Sequence, residues 1–181
     1  MSEATNNYQL NDVMFTREQI EGRAVEIGRR ITDDYAAEEV VFVGVLRGAF
    51  MWLSEVVKSV DIETRLDFMV VSSYGDATKS SGVVRIDKDI SENVEGMHVI
   101  LVEDIVDTGT TLHYLKTYLE GKGPASVRIC ALLDKPSMRE HRVDIDYLGF
   151  TVGDVFLVGY GLDVGQRYRN LPYLTSVKVE A

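Results

Sequence analysis

An α/β fold with a mostly parallel central sheet flanked by helices is predicted by three observations. Apolar runs of strand length alternate with helical stretches across residues 40–133. The apolar runs do not alternate with polar residues, the pattern of strands covered on both faces. The chemically unusual residues fall where those strands end, the side on which open α/β sheets bind ligands.

The elements follow in order. A helix begins near Thr16, because Thr16 and Gln19 have the spacing of a capping box. Ile20, Ala24, Ile27 and Ile31 then recur at three- and four-residue intervals and form one apolar face. Residues 40–46 read as a buried strand, 49–57 as a short helix and 65–72 as a second strand. Residues 73–82 are small, polar and glycine-bearing, which predicts a mobile loop, with 83–86 as its returning strand. Residues 97–102 form the next strand. The helix at 110–119 carries Leu112, Leu115 and Leu119 on one side and is stopped by Gly121 and Gly123-Pro124. Residues 127–133 are a further strand. Beyond Asp134 the helical periodicity fades, and short extended pieces at 155–158 and 176–179 predict a small lobe over one edge of the sheet. The expected organisation is a single domain, with a core at about 36–133 and a hood from about 1–15 and 134–181.

Composition bounds the function. Of 181 residues, 45% are hydrophobic and 27% charged, enough for one domain with a real core. A net charge of −10 argues against general nucleic-acid binding. It leaves room for a phosphate substrate held locally by backbone amides, a helix N-terminus and cations. No stretch approaches the roughly 20 apolar residues that span a bilayer. The first ten residues lack the basic and apolar regions of a signal peptide, so a cytoplasmic protein is expected. The one cysteine, Cys130, lies in an apolar run and reads as a small buried hydrophobe rather than a reactive thiol. His98, His113 and His141 have no ligand spacing and read as structural.

The strongest motif runs from Val99 to Thr111. A buried strand leads into two adjacent carboxylates, Glu103 and Asp104, and then Asp107-Thr108-Gly109-Thr110-Thr111 opens a helix. Gly109 lets the backbone approach a phosphate closely. The threonine hydroxyls and the first helical N–H groups can grip a terminal phosphate. Glu103 and Asp104 would lie just before it, within reach of ribose hydroxyls or a hard cation. The plainer reading is that Asp107 or Thr108 caps the helix and the acids are solvated. Capping accounts for one acid and one hydroxyl, not for two acids ending an apolar strand and a third three residues later.

This segment resembles the phosphoribosyl pyrophosphate motif of type I phosphoribosyltransferases. From about Phe15 to Val177 the chain is similar to the hypoxanthine (hypoxanthine-guanine) members of that family. The resemblance implies the type I phosphoribosyltransferase fold and a purine-salvage glycosyltransferase, which transfers the 5-phosphoribosyl group of phosphoribosyl pyrophosphate to hypoxanthine and guanine, giving IMP or GMP and pyrophosphate. It implies Mg2+ as cofactor and a homodimer or homotetramer, with neither nucleic acid nor membrane as partner. Glu103, Asp104, Ile105, Val106, Asp107, Thr108, Gly109, Thr110 and Thr111 would form the phosphoribosyl site, with Asp107 catalytic near N7 of the purine. Arg47 and Gly48, in Val45-Leu46-Arg47-Gly48-Ala49-Phe50, would grip pyrophosphate, through a turn that often has a cis peptide before the glycine. The family usually has lysine where this chain has Arg47. Ser73 and Tyr74 would cover the pyrophosphate when the loop closes and excludes water.

The same resemblance places Lys135 at the 6-oxygen of the base, where an ammonium, having only donors, selects oxo over amino. It stacks Phe156 on the ring and sets the backbone of Leu157 at the Watson–Crick edge. Asp163 would complete the purine site and hold a second magnesium, and Arg169 would reach the pyrophosphate. The metal set is thus Glu103, Asp104 and Asp163. Without the resemblance, Lys135 reads as a solvated lysine, Phe156 as core and Gly48 as an ordinary turn glycine. Between Asp163 and Tyr168 this chain has Val164-Gly165-Gln166-Arg167, where many relatives carry a tyrosine and an acid. The rival functions are a transferase for xanthine-guanine, and a non-catalytic regulator, against which Asp107 and the negative charge both speak. A dinucleotide-binding domain lacks its glycine fingerprint.

Overall fold

The computed structural model describes residues 8–36, 38–73 and 84–179. Six strands form the main sheet in the order β4-β3-β2-β5-β6-β7: β2 Val40–Leu46, β3 Thr64–Ser73, β4 Val84–Lys88, β5 His98–Val106, β6 Ser126–Asp134 and β7 Tyr147–Thr151. All neighbours run parallel except β3 and β4. Helices α1 Arg17–Asp34, α2 Phe50–Lys58 and α3 Thr110–Glu120 cover the sheet. A second, antiparallel sheet joins β1 Tyr8–Phe15, β9 Leu174–Val179 and β8 Leu157–Val158, in the order β1-β9-β8. Residues 8–15 and 174–179 therefore share one small sheet, the hood.

Alternation within the strands divides the core. Val40 and Phe42 of β2 join Ile20, Ala24, Ile27 and Ile31 of α1 and Trp52 of α2 on one face. Val41, Val43 and Val45 join Leu112, Leu115 and Leu119 of α3 on the other. Helices on both faces are as expected. Each fully buried aliphatic side chain contributes roughly 1.5–3 kcal/mol, which offsets the ordering of these elements. The capping box opens α1 as read: Thr16 Oγ1 accepts from Gln19 N, and Gln19 Oε1 accepts from Thr16 N at 2.8 Å. The first core cluster also includes Leu157, Tyr160, Leu162 and Leu174 of the hood, so hood and sheet share buried apolar surface.

Four features differ from the sequence expectation. First, β5 continues to Val106, so Glu103 and Asp104 stand inside the strand rather than after it. Pairing with β6, Glu103 opposite Ala131 and Val106 opposite Asp134, holds them in the ladder. Second, β7 adds a sixth strand beyond the core boundary drawn near residue 133. It is short and interrupted by Gly149, where a Cβ would lie 2.2 Å from Leu132 O, so it carries little strand signal. Third, residues 8–15 form β1, bulged against β9, with Thr175 Oγ1 donating to Asn11 O and Asp12 O. Fourth, the piece expected at 155–158 is only Leu157–Val158. Tyr74 and the rest of the expected loop through Gly82 lie outside the described residues, as does the side chain of Ser73. No helix among those described is long and apolar enough to cross a membrane.

Cys130 is buried in the core, and burial pushes its thiol up to about 12, which makes it inert at neutral pH. His98 bonds Ser126 Oγ at 2.7 Å, while His113 and His141 stack with ring centres 5.5 Å apart.

Candidate active site

The C-terminal ends of β2, β5 and β6 open into two adjoining cavities. One, of about 230 Å3, is lined by Leu46, Gly48, Glu103, Thr108, Gly109 and Thr111, among others. The second, of about 240 Å3, is lined by Asp104, Lys135, Phe156, Leu157, Leu162 and Asp163. Among the described residues, only Ile105 and Asp107 line both. Asp107 is exposed and makes no hydrogen bond or ion pair with any described residue.

Most of the first cavity is built from one continuous segment, residues 103–112. α3 starts on Gly109, which is left-handed at φ 83° and offers no side-chain cap. The first N–H groups of the helix thus face the cavity end without a capping carboxylate, the arrangement that binds anions. Asp107 is not the cap that the plainer reading made it. Thr108 Oγ1 and Thr110 Oγ1 are 3.0 Å apart, and Thr110 N reaches Thr108 Oγ1 only at 3.4 Å. These hydroxyls keep capacity for a ligand.

The turn after β2 completes this side. The peptide between Leu46 and Arg47 is cis, one position earlier than the bond immediately before Gly48. Arg47 is exposed, and no described residue pairs with it. A Cβ on Gly48 would lie 1.6 Å from Asp104 Oδ2, so any other residue there would push that carboxylate out of place. Its carbonyl meets a second glycine: a Cβ on Gly161, itself at φ 100°, would lie 2.0 Å from Gly48 O. The sequence reading missed Gly161. Its signal was the pair of glycines flanking Tyr160.

The second cavity is assembled from separate segments. Lys135 is buried, and its N–H donates to Val106 O at 2.9 Å. Phe156 is 52% exposed, so its ring faces the cavity mouth and is not core. Leu157 is buried beneath it in β8. Arg169 ties the loop together: Nη1 donates to Gly161 O at 2.7 Å, and Nη2 pairs with Asp163 Oδ1 at 2.5 Å. Val164 and Arg167 exchange both backbone bonds around Gly165 at φ 57° and Gln166 at φ 65°. Two consecutive positive φ values make this a tight two-residue hairpin turn, and Gln166 N donates to Asp163 Oδ2.

Glu103 and Asp104 are adjacent in a strand, so they serve opposite sides. Glu103 lines the first cavity and Asp104 the second. Burial, and then the charge of Asp104, push Glu103 well above the usual carboxylate range. Burial raises Asp104 as well, against the hydrogen bonds of Glu103 and Ile105 N and the charge of Arg169. Neither has an ion pair among the described residues. A buried Glu103 crowded against a half-buried Asp104, with no ion-pairing cation among the described residues, forms a hard oxygen donor set that suits a divalent ion. Among the described residues, however, no three acidic or metal-ligating side chains converge on one point. Asp163 stands apart, held by Arg169. Any ion would therefore share its coordination with substrate oxygens, the usual habit of Mg2+.

Comparison with known proteins agrees with this geometry. The phosphoribosyl transferase domain family matches residues 16–164. The chain is 43% identical over 168 residues to the hypoxanthine phosphoribosyltransferase of Escherichia coli K12, covering 92% of this chain and 94% of that one. It is 42% identical over 171 residues to the hypoxanthine-guanine phosphoribosyltransferase of Streptococcus pneumoniae R6, covering 94% and 95%. A crystal structure of a hypoxanthine phosphoribosyltransferase from Staphylococcus aureus superposes with a TM-score of 0.90 at 41% identity, over 93% of this chain and 92% of that one. A ternary substrates complex of a mutant hypoxanthine phosphoribosyltransferase from Trypanosoma cruzi superposes with a TM-score of 0.87 at 36% identity, over 93% and 96%. This chain belongs to the phosphoribosyl transferase family, alongside those hypoxanthine and hypoxanthine-guanine enzymes.

Proposed function

We propose that the chain transfers the 5-phosphoribosyl group of phosphoribosyl pyrophosphate to hypoxanthine and guanine, releasing pyrophosphate. The observation that carries the proposal is the pair of cavities joined at Asp107. A phosphate-gripping loop on one side and a base-sized slot on the other, walled by Phe156, Leu157 and Leu162 with Lys135 at hand, support a bond between sugar and base made where the two meet.

In this reading the terminal phosphate sits on residues 107–111, held by the uncapped N–H groups of α3 and the hydroxyls of Thr108, Thr110 and Thr111. The cis turn at Arg47 and Gly48, with Ser73, Tyr74 and Arg169, meets the pyrophosphate. Phe156 stacks on the purine, and Leu157 lies at its edge. Lys135 donates to the 6-oxygen from a buried position, which favours oxopurines over adenine. The purine N9 attacks the anomeric carbon as the bond to pyrophosphate breaks, through an oxocarbenium-like transition state. Asp107 stands by N7, taking or sharing the proton lost from the base and offsetting positive charge on the ribose. Glu103 and Asp104 would hold one Mg2+ and Asp163 a second, which would supply charge neutralisation for the leaving pyrophosphate.

The protein is further proposed to fold as one domain, to act in the cytoplasm and to associate as a homodimer or homotetramer. The shared core cluster of hood and sheet supports the first of these. The test of the reaction is direct. Purified protein with magnesium and phosphoribosyl pyrophosphate should form nucleotide from hypoxanthine and guanine and not from adenine. Turnover of adenine at equal efficiency would refute the base assignment.

A further inference from the structure

Behind the phosphate loop, away from its cavity, lies a guanidinium that the reaction above does not use. Arg139 follows a short 3-10 turn at Pro136–Met138. Its Nη2 pairs with Asp134 Oδ1, and both side chains are largely buried, 17% and 16% exposed. Its Nη1 is buried with no hydrogen-bond partner among the described residues. A Cβ added to Gly109 would lie 3.1 Å from both Cδ and Nη1 of Arg139, so the guanidinium packs directly against the glycine on which α3 begins.

The flanking backbone is bonded to the same loop. Glu140 N and His141 N both donate to Thr108 O, at 2.9 and 3.0 Å, and Lys135 N donates to Val106 O. That Cβ on Gly109 would also lie 2.5 Å from His141 O. Residues 134–141 thus run along the back of 106–109 and meet it at several points. The front of the same short loop lines the first cavity, whereas Arg139 lines neither cavity.

A guanidinium stays charged at any working pH, and a buried charged donor with one nitrogen unpaired is costly. Asp134 compensates the charge but leaves Nη1 unmatched. An anion on the front of the loop would bring opposite charge close to that nitrogen in surroundings that screen weakly. We infer that Arg139 is a positioning residue for the phosphate end of the substrate: it holds residues 107–111 in their anion-binding shape and favours the loaded state through charge, without touching the ligand. The inference rests on the reading of those residues as the phosphate loop.

The test compares Arg139→Gln and Arg139→Lys with the unaltered enzyme. The readouts are direct titration with phosphoribosyl pyrophosphate, the KM for hypoxanthine, and kcat at saturation. Arg139→Gln should weaken phosphoribosyl pyrophosphate binding by about tenfold, the loss expected when a fixed opposite charge near the bound anion is removed from weakly screening surroundings. Its kcat at saturation and its hypoxanthine KM should change by less than about threefold. Arg139→Lys should recover part of the affinity, because the charge is kept and only the planar fork is lost. Melting curves come first, and if the Gln variant does not fold, the Lys variant carries the test with the same split at smaller size. Unchanged phosphoribosyl pyrophosphate affinity, or a parallel loss in all three readouts, overturns the inference. Thr111→Val, on the cavity side, checks the underlying reading. If it weakens phosphoribosyl pyrophosphate binding while Arg139→Gln does not, only the role of Arg139 falls. If it too has no effect, the loop is not the phosphate site.

Discussion

The two halves of the site are built by opposite means. The proposed phosphate grip comes mainly from one run of chain, from Glu103 in β5 through Gly109 into α3, with Leu46, Gly48 and Val71 closing the cavity around it. The base side collects Lys135 after β6, Phe156 and Leu157 around β8, and Asp163 and Arg169 from the loop that follows. Backbone geometry alone presents the N–H groups of the first side, because a helix that starts on a left-handed glycine leaves them unpaired. The second side depends on long-range contacts. Gly161 must lie against Gly48, and Arg169 must fork between Gly161 O and Asp163 before the slot has walls. In the proposed reaction, local construction favours a fixed grip on the phosphate common to every substrate, and assembly from separate segments would let the hood set which base is accepted.

The largest expected effect removes what both halves share. Exhaustive chelation should abolish turnover, and added magnesium should restore it, because Glu103 and Asp104 face different cavities and have no cationic partner among the described residues. Full activity in the chelated enzyme, followed by pyrophosphate release, would remove the metal from the scheme.

At the junction, Asp107→Asn keeps size and much of the hydrogen bonding but loses the charge and the proton acceptor. Turnover should fall by about 10²–10⁴-fold, the range of general acid–base catalysis. Binding of phosphoribosyl pyrophosphate should hardly change, the mark of a group that acts mainly in the transition state. Single-turnover kinetics beside direct titration separates the two. Weaker binding with normal turnover would mean that Asp107 merely shapes the loop.

A more selective change confines the damage to the base side. Lys135→Ala should cost hypoxanthine on the order of 1–3 kcal/mol of transition-state stabilisation, a loss of efficiency of about five- to 150-fold, while phosphoribosyl pyrophosphate affinity holds. Competition between hypoxanthine and adenine measures the loss of selectivity. Equal damage to both substrates would show that the two halves are not separable.

The smallest effect on chemistry, and the sharpest on architecture, is expected at Gly161→Ala. The added methyl meets Gly48 O at 2.0 Å in a backbone held at φ 100°. Such strain costs about 1–3 kcal/mol. In a chain of this length that lowers Tm by roughly 2–4 °C for each kcal/mol. Hypoxanthine KM should rise more than the affinity for phosphoribosyl pyrophosphate falls. A wild-type melting point would mean that the hood gives way easily at this contact.

What the sequence determined by itself is whatever depends on near neighbours along the chain. The capping box at Thr16, the two-faced apolar strands 40–46 and 127–133, and the acid-ended strand running into Asp107–Thr111 are all set by residues a few positions apart. Side-chain volume, φ preference and local hydrogen bonding act at that range, so the pattern is visible in one dimension. Only the tertiary structure decided that Glu103 and Asp104 stay inside β5, because β6 supplies the partner that keeps them in the ladder. It also decided that Phe156 is exposed rather than core, that Gly48 and Gly161 meet, and that residues 8–15 pair with 174–179. Each of those outcomes is a contact between segments far apart in sequence, made when folding buries apolar surface, and no single segment carries its signal.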